Sequence, residues 1–384
     1  MKPLILPARN YIGQGAIEKI GPMIAENNFE KCLIVTDSFL YKTDTFARVK
    51  RILTNHRVGF KVYTDTIPNP SIKCVEKVYG LIVKDPCDFI ISIGGGSAHD
   101  LAKAVAMIAT CGGCIKTYVG VNQLPVAPLP LVAVNTTSGT GSEVTRFTII
   151  TDKSAGVKMA IIDDKLVPWL SINDTDTLLS MPKGLTAATG MDALTHAIEA
   201  YLSTDHTVLT DPYALKAMSL IDGHLQRAYE NGQDQVAREA MASAQFLAGV
   251  AFSNASLGFV HAIAHQLGGI YDLPHGVCNA LLLPFVIEAI GPQVDPIRIG
   301  DIGEAMGLNL FNKNNPLTYK RLVKKIHDMN VSLGIPKNLK VLDVKQEDFR
   351  KIAESALKDP CHLTSPVMLK VEDIIGLLEK AYSY

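Results

Sequence analysis

The sequence predicts an α/β domain with a mainly parallel sheet over residues 1–181, followed by an all-helical domain over residues 182–384. Three observations carry that expectation. Short apolar runs alternate with helical patterns through the first half, as βαβ units do. Near Met181-Pro182 the strand-like runs give way to long alanine- and leucine-rich periodic segments. A chain of 384 residues also exceeds the length at which one hydrophobic core keeps growing.

In the first half, residues 31–37, 58–63, 88–93 and 131–134 read as strands, the third ending in glycines. In the second half, Asp211 ahead of Pro212 predicts a capped helix start, with Glu230-Asn231-Gly232 as its end. A second helical run covers about 236–253. A third covers about 257–267, and Gly268-Gly269 should end it by supplying a left-handed residue with no Cβ penalty. No internal repeat or low-complexity segment interrupts the pattern.

With 37 basic against 38 acidic side chains, the chain carries almost no net charge, which argues against a field built to attract nucleic acid or an acidic membrane. A small molecule is the expected partner. The start of the chain has too short an apolar run for a signal peptide, and no stretch approaches eighteen uninterrupted apolar residues, so a soluble, cytoplasmic protein is expected. Seven scattered cysteines fit reduced thiols better than a disulfide framework. Cys111-Gly-Gly-Cys114 has the spacing of a redox or zinc motif, but no second pair stands near it, so a structural role is expected. Cys278, inside an apolar run, reads as a core thiol.

Gly94-Gly95-Gly96-Ser97 lies between a predicted strand and a helix beginning near Ala98, where backbone N–H groups and the helix dipole can hold a pyrophosphate. The turn is not the usual Gly-x-Gly-x-x-Gly fingerprint and is weak evidence alone. Asp37, at the carboxyl end of an earlier strand, could accept hydrogen bonds from an adenosine ribose, or be an ordinary cap. The segment Asn135-Thr136-Thr137-Ser138-Gly139-Thr140-Gly141-Ser142-Glu143 closes another strand with hydroxyls and glycines, at the same sheet edge.

Asp192 and His196 stand four apart in a helical stretch and share a face, His261 and His265 repeat that spacing, and Pro274-His275-Gly276 adds another imidazole. Carboxylate and imidazole without thiolate suit a divalent metal such as Fe²⁺ or Zn²⁺, and the residues leave that choice open. Gln266 follows His265, so the glutamate of a His-Glu-x-x-His protease is missing.

Taken together, Gly94-Gly95-Gly96-Ser97-x-x-Asp100-x-x-Lys103, Asn135-Thr136-Thr137-x-Gly139-Thr140-x-Ser142-Glu143, Gly190-Met191-Asp192-Ala193-Leu194-Thr195-His196, His261-x-x-x-His265-Gln266-Leu267-Gly268 and Pro274-His275-Gly276 resemble the iron-containing alcohol dehydrogenases, in particular the short-chain alcohol, methanol and diol branch. The resemblance runs over nearly the whole chain. It implies a Rossmann-like, dinucleotide-binding α/β domain and a helical metal-binding domain, in a homodimer or larger homo-oligomer. Asp192, His196, His261 and His275 would bind iron, with zinc or another divalent ion as the alternative. His265 would sit by the nicotinamide and help move a proton. NAD rather than NADP is expected, with contacts from Asp37, Asn69, Gly95, Gly96, Ser97, Asp100, Thr136, Thr137, Thr140, Thr145, Lys158 and Leu185. Asp100 is carried over as a catalytic group as well, beside His265. Phe252 and Cys361 match positions near the substrate pocket. One departure follows Leu363-Thr364, where many relatives continue Asn-Pro-Arg and this chain has Ser365-Pro366-Val367. The implied activity interconverts a small alcohol or diol and its aldehyde.

Glycerol-, sugar-phosphate- or dehydroquinate-synthase-like enzymes are the nearest alternatives, but a phosphorylated substrate calls for basic groups by the metal. Between Met181 and Pro284 only Lys183, Lys216, Arg227 and Arg238 are basic. A metal-storage protein would leave the glycine turn and Asp37 unexplained.

Overall fold

The computed structural model describes residues 3–155 and 157–384. Two compact units divide the chain, one covering Ile5–Ser180 and the other Met181–Tyr384. Among the described residues the first unit holds nine strands: β1 (Arg9–Ile12), β2 (Lys31–Val35), β3 (Gly59–Tyr63), β4 (Phe89–Gly94), β5 (Gly120–Val121), β6 (Leu131–Asn135), β7 (Phe147–Asp152), β8 (Val157–Ile162) and β9 (Leu170–Asn173). Six form a parallel sheet in the order β1-β9-β6-β4-β2-β3, while β7 and β8 make an antiparallel pair with β5 beside β8.

The parallel sheet is buried on both faces, so its central strands are apolar throughout rather than alternating. Leu33, Val35, Ile90 and Leu131 join one core. Cys32, Ile34, Phe89, Ile91, Ile93, Val132 and Val134 point into the other. Because the strands are parallel, β2, β4 and β6 all deliver their following loops to one edge, where Asp37, the glycine turn and the Thr136-Thr137 segment emerge.

The second unit is helical, with its longest elements at Lys183–Leu202, Asp211–Glu230, Gln235–Ala255, Phe259–Tyr271 and His275–Ile290. The Lys183–Leu202 helix packs against Asp211–Glu230, Gln235–Ala255 and His275–Ile290, and is buried from Thr186 to its end. The stretch His275–Gln293 is apolar and long enough to cross a membrane, yet most of it is buried inside this unit, as core helices are.

Local expectations fail at three places. The helix after β4 starts at Gly96 rather than near Ala98, so the glycines form its first turn. Asp211 does not cap its helix; Thr210 holds that position, and the Asp211 carboxylate instead takes both terminal nitrogens of Arg298 at 3.2 Å, a bidentate pair stronger than a cap. Gly268-Gly269 does not end the third helix, which runs to Tyr271 and stops on Asp272 at φ 53°. Glycine inside a helix costs only about 1 kcal/mol, and burial of this helix outweighs it.

Lys103, 1% exposed, ties β7 to the helix behind the glycine turn by donating to the carbonyls of Thr145 at 2.7 Å and Phe147 at 2.8 Å. Burial pulls its pKa down to about 8 while Asp100 and Glu143 hold it up. Lys103→Met strands those carbonyls and the facing carboxylates, an expected loss of about 3 kcal/mol. The melting temperature should fall by roughly 6–12 °C, and a fall below about 2 °C in calorimetry would mean that the lysine is dispensable to the fold.

Candidate metal centre

Three helices of the second unit bring the centre together. Lys183–Leu202 carries Asp192 and His196 on one face, Phe259–Tyr271 carries His261 and His265, and His275 is the first residue of His275–Ile290. That third helix can approach only because residue 276 is glycine: a Cβ there would lie 2.3 Å from the Ala188 carbonyl oxygen.

Asp192 Oδ1 lies 3.9 Å from His196 Nε2, 3.8 Å from His261 Nε2 and 3.6 Å from His275 Nε2. One donor atom from each of the four residues falls within 4.8 Å of all the others. Tetrahedral bonds of about 2.1 Å to one ion put neighbouring donors roughly 3.4 Å apart, so this set is slightly expanded but of the right size. Burial, with the charges that neighbouring imidazoles would carry, holds His261 well below its usual pKa, which keeps its Nε2 lone pair free of a proton. Asp192, His196 and His261 are buried, whereas the His275 side chain is 32% exposed, so the centre opens on one side. A closed cage suits a structural ion; an open side suits a reacting one.

Several groups hold these donors. Glu199, one turn beyond His196, meets His261 Nδ1 at 2.6 Å with one oxygen and accepts the Val260 N–H at 2.6 Å with the other. Burial pushes its carboxyl up to about 8, against backbone N–H groups of Val260, Gly258 and His261 that favour the ionised form. The arrangement is the carboxylate–histidine pairing that fixes a ligand imidazole with Nδ1–H inward and Nε2 toward the ion. Asn279, one turn after His275 and fully buried, donates from Nδ2 to Asp192 Oδ1 at 2.6 Å and lies 3.0 and 3.1 Å from the Nε2 atoms of His261 and His275. The Phe252 ring stacks on His196 at 4.2 Å.

His265 stands beside this set, its ring stacked on His275 at 5.4 Å and its Nδ1 2.7 Å from Asp359 Oδ2. Cys361 completes a second group, with donor atoms of His265, Asp359 and Cys361 within 4.8 Å of one another. Burial and the Asp359 charge push the Cys361 thiol far up, so it stays protonated.

The residues expected to touch a dinucleotide lie in the first unit, except Leu185, which is exposed on the Lys183–Leu202 helix. Gly95 and Gly96 begin the helix and lie against the Thr136–Thr140 segment: a Cβ on Gly95 would come 2.7 Å from Thr137 Cγ2. Asp37 is half-buried, and its Oδ1 accepts the N–H groups of Phe39 and Leu40 at 2.8 Å. Asn69 takes φ 51° just after β3. Asp100 accepts from Ser142 Oγ at 2.9 Å, and desolvation pushes it up to about 6, with the charges of Lys103 and Lys158 pulling the other way. Thr145 is buried on Lys103, and Lys158 sits in β8 opposite Thr151. The structure thus gathers the glycine turn with Thr137 and Thr140, and Asp100 with Ser142, Lys103 and Lys158. Cys111 and Cys114 belong to neither metal group and flank two left-handed glycines.

Glu199, Asn279 and Asp359 are absent from the sequence-based expectation. The first two carried a signal: Glu199 follows His196 by three residues and Asn279 follows His275 by four, so both share a helix face with a predicted donor. Asp359 is 94 residues from His265, and no local pattern links them.

Comparison with known proteins accords with this arrangement. A model of the family described as iron-containing alcohol dehydrogenase matches residues 7–175, and one of the Fe-containing alcohol dehydrogenase family, C-terminal, matches residues 186–382. The chain is 46% identical over 381 residues to alcohol dehydrogenase 4 of Saccharomyces cerevisiae, covering 99% of this chain and 98% of that one. It is 39% identical over 381 residues to the NAD-dependent methanol dehydrogenase of Bacillus methanolicus, covering 99% and 100%. A solved 1,3-propanediol oxidoreductase superposes with a TM-score of 0.96 at 39% identity, over the full length of both chains. With both units matched and full-length relatives at these identities, the chain is an alcohol dehydrogenase belonging to the iron-containing alcohol dehydrogenase family.

Proposed function

We propose that this enzyme interconverts a small primary alcohol or diol and its aldehyde with NAD, using Fe²⁺ held by Asp192, His196, His261 and His275, with zinc as the alternative ion. The observation that carries the proposal is the convergence of one carboxylate oxygen and three imidazole nitrogens, all acceptors, at 3.6–3.9 Å with one open side. Such a set repels itself unless a cation lies among it. The printed activities of the methanol and propanediol relatives support an uncharged alcohol. So does the engagement of nearby bases: Arg238 is spent on Thr186, Met181 and Gly232, and Arg227 on Asp234.

Forming an alkoxide unaided near neutral pH costs about 12 kcal/mol, from a gap of about nine pKa units. Bound at these donors, a divalent ion supplies Lewis-acid polarisation of the substrate oxygen, and NAD supplies the hydride acceptor. The chain's own residues do the rest. Glu199 keeps the His261 tautomer, Asn279 steadies Asp192, and Phe252 walls the site with an apolar ring. His265 takes or returns the hydroxyl proton. In the α/β unit, the amides of Gly95, Gly96 and Ser97 face the pyrophosphate at a helix N-terminus, and Asp37 Oδ2 accepts from the ribose.

Chelation or His261→Ala should abolish alcohol oxidation while NAD binding, read by nicotinamide fluorescence, largely survives. Fe²⁺ should rescue the chelated wild type, whereas full turnover by rigorously metal-free enzyme would sink the proposal. A storage protein would leave nicotinamide fluorescence unchanged. Glu199→Gln should weaken metal binding about 10–100-fold in chelator competition, and an unchanged dissociation constant would remove Glu199 from the centre. Asp37→Gly removes a charge that opposes a 2′-phosphate by about 1–4 kcal/mol, so relative use of NADP should rise at least about fivefold. If the ratio of kcat/KM for the two cofactors does not move, Asp37 does not face the ribose.

A further inference from the structure

We infer that Asp359 is the positioning residue for His265: its carboxylate sets the imidazole tautomer and so governs proton transfer at the substrate oxygen. The catalytic part of this inference rests on the function proposed above.

The carboxylate is locked by two separate partners. Oδ1 accepts the Cys361 N–H at 2.9 Å, capping the short Pro360–Thr364 turn, while Oδ2 lies 2.7 Å from His265 Nδ1. Both side chains are largely buried, at 17% and 12% exposed, so water competes little for the pair. Burial alone would raise the Asp359 carboxyl. His265 and the backbone and side chain of Cys361 outweigh it and hold the group below the usual carboxylate range. An ionised carboxylate only accepts, so Nδ1 must carry the hydrogen and Nε2 the lone pair. Stacking on His275 keeps the ring beside the four donors.

In oxidation the alcohol O–H bond breaks and its proton goes to His265 Nε2. The C–H bond breaks with its electron pair going to the nicotinamide, and the C=O double bond forms. The products are aldehyde, NADH and one proton, which His265 passes to water. Reduction runs the same transfers backward.

Two substitutions separate positioning from mere structure. Asp359→Asn keeps an oxygen for the Cys361 N–H, and so the cap, but turns an amide donor toward Nδ1 and drives the hydrogen onto Nε2. Asp359→Ala loses the cap and leaves the tautomer free. Stability should therefore follow wild type, then Asn close behind, then Ala. Activity should follow the other order: Asp359→Asn loses about 10²-fold or more in kcat and is no better than Asp359→Ala, with KM, NAD affinity and iron affinity within about threefold of wild type. In a His265→Ala background, Asp359→Asn should change kcat no further. Activity that tracks stability, or a further loss in that background, would overturn the inference. Nitrogen NMR of histidine-labelled, zinc-loaded protein reads the tautomer without any substrate, the His265 signals being those lost in His265→Ala. Nδ1–H in wild type and Nε2–H in Asp359→Asn are expected, and the same tautomer in both would refute the positioning role. A wild type with no metal-dependent alcohol oxidation would refute the proposed function instead, while the NMR result would still decide the role of Asp359.

Discussion

A carboxylate and three imidazoles meet in the interior of the helical unit with their acceptor atoms 3.6–3.9 Å apart, close enough that no arrangement of neutral partners satisfies them all. Much of the second unit is arranged around that convergence. The Lys183–Leu202 helix gives up the polar face a surface helix would have and is buried on nearly every side. Gly276 lets a second helix end on it, and Glu199 ties the start of a third helix to the same point through Val260 and His261. Removing the cation from such an arrangement leaves a buried charge and several lone pairs facing each other, which is why metal occupancy and the local fold are coupled here.

Those donors were legible in the sequence because helical spacing is local: Asp192 with His196 and His261 with His265 each sit four apart, and chemistry of one kind recurs on both pairs. Glu199 and Asn279 were readable by the same rule, but a glutamate or asparagine on a helix face has many duller explanations. Asp359 was not readable, since only the tertiary fold joins a residue near the end of the chain to His265.

The sheet divides in the same way. The strands β2, β4 and β6 announce themselves as unbroken apolar runs because both faces are covered. The strand β9 is just as buried but includes Ser171 and Asn173, and β7 buries Thr148 and Asp152, so neither has an apolar signature. Edge strand β1 is half-exposed and only four residues long. Gly268-Gly269 misled for the opposite reason: local propensity favoured a stop there, and packing of the surrounding helix carried it through.

The chemistry is shared between units of different character. A rigid parallel sheet presents backbone amides and hydroxyls suited to a large anionic cofactor, and a helical bundle holds an ion and a proton-handling imidazole. X-ray absorption at the iron edge of the reconstituted enzyme tests the central claim most directly. The account predicts one iron per chain, with scattering from three imidazoles and one carboxylate oxygen and a change in the light-atom shell when alcohol is added. A shell containing sulfur, fewer than three imidazoles, or no response to alcohol would contradict it.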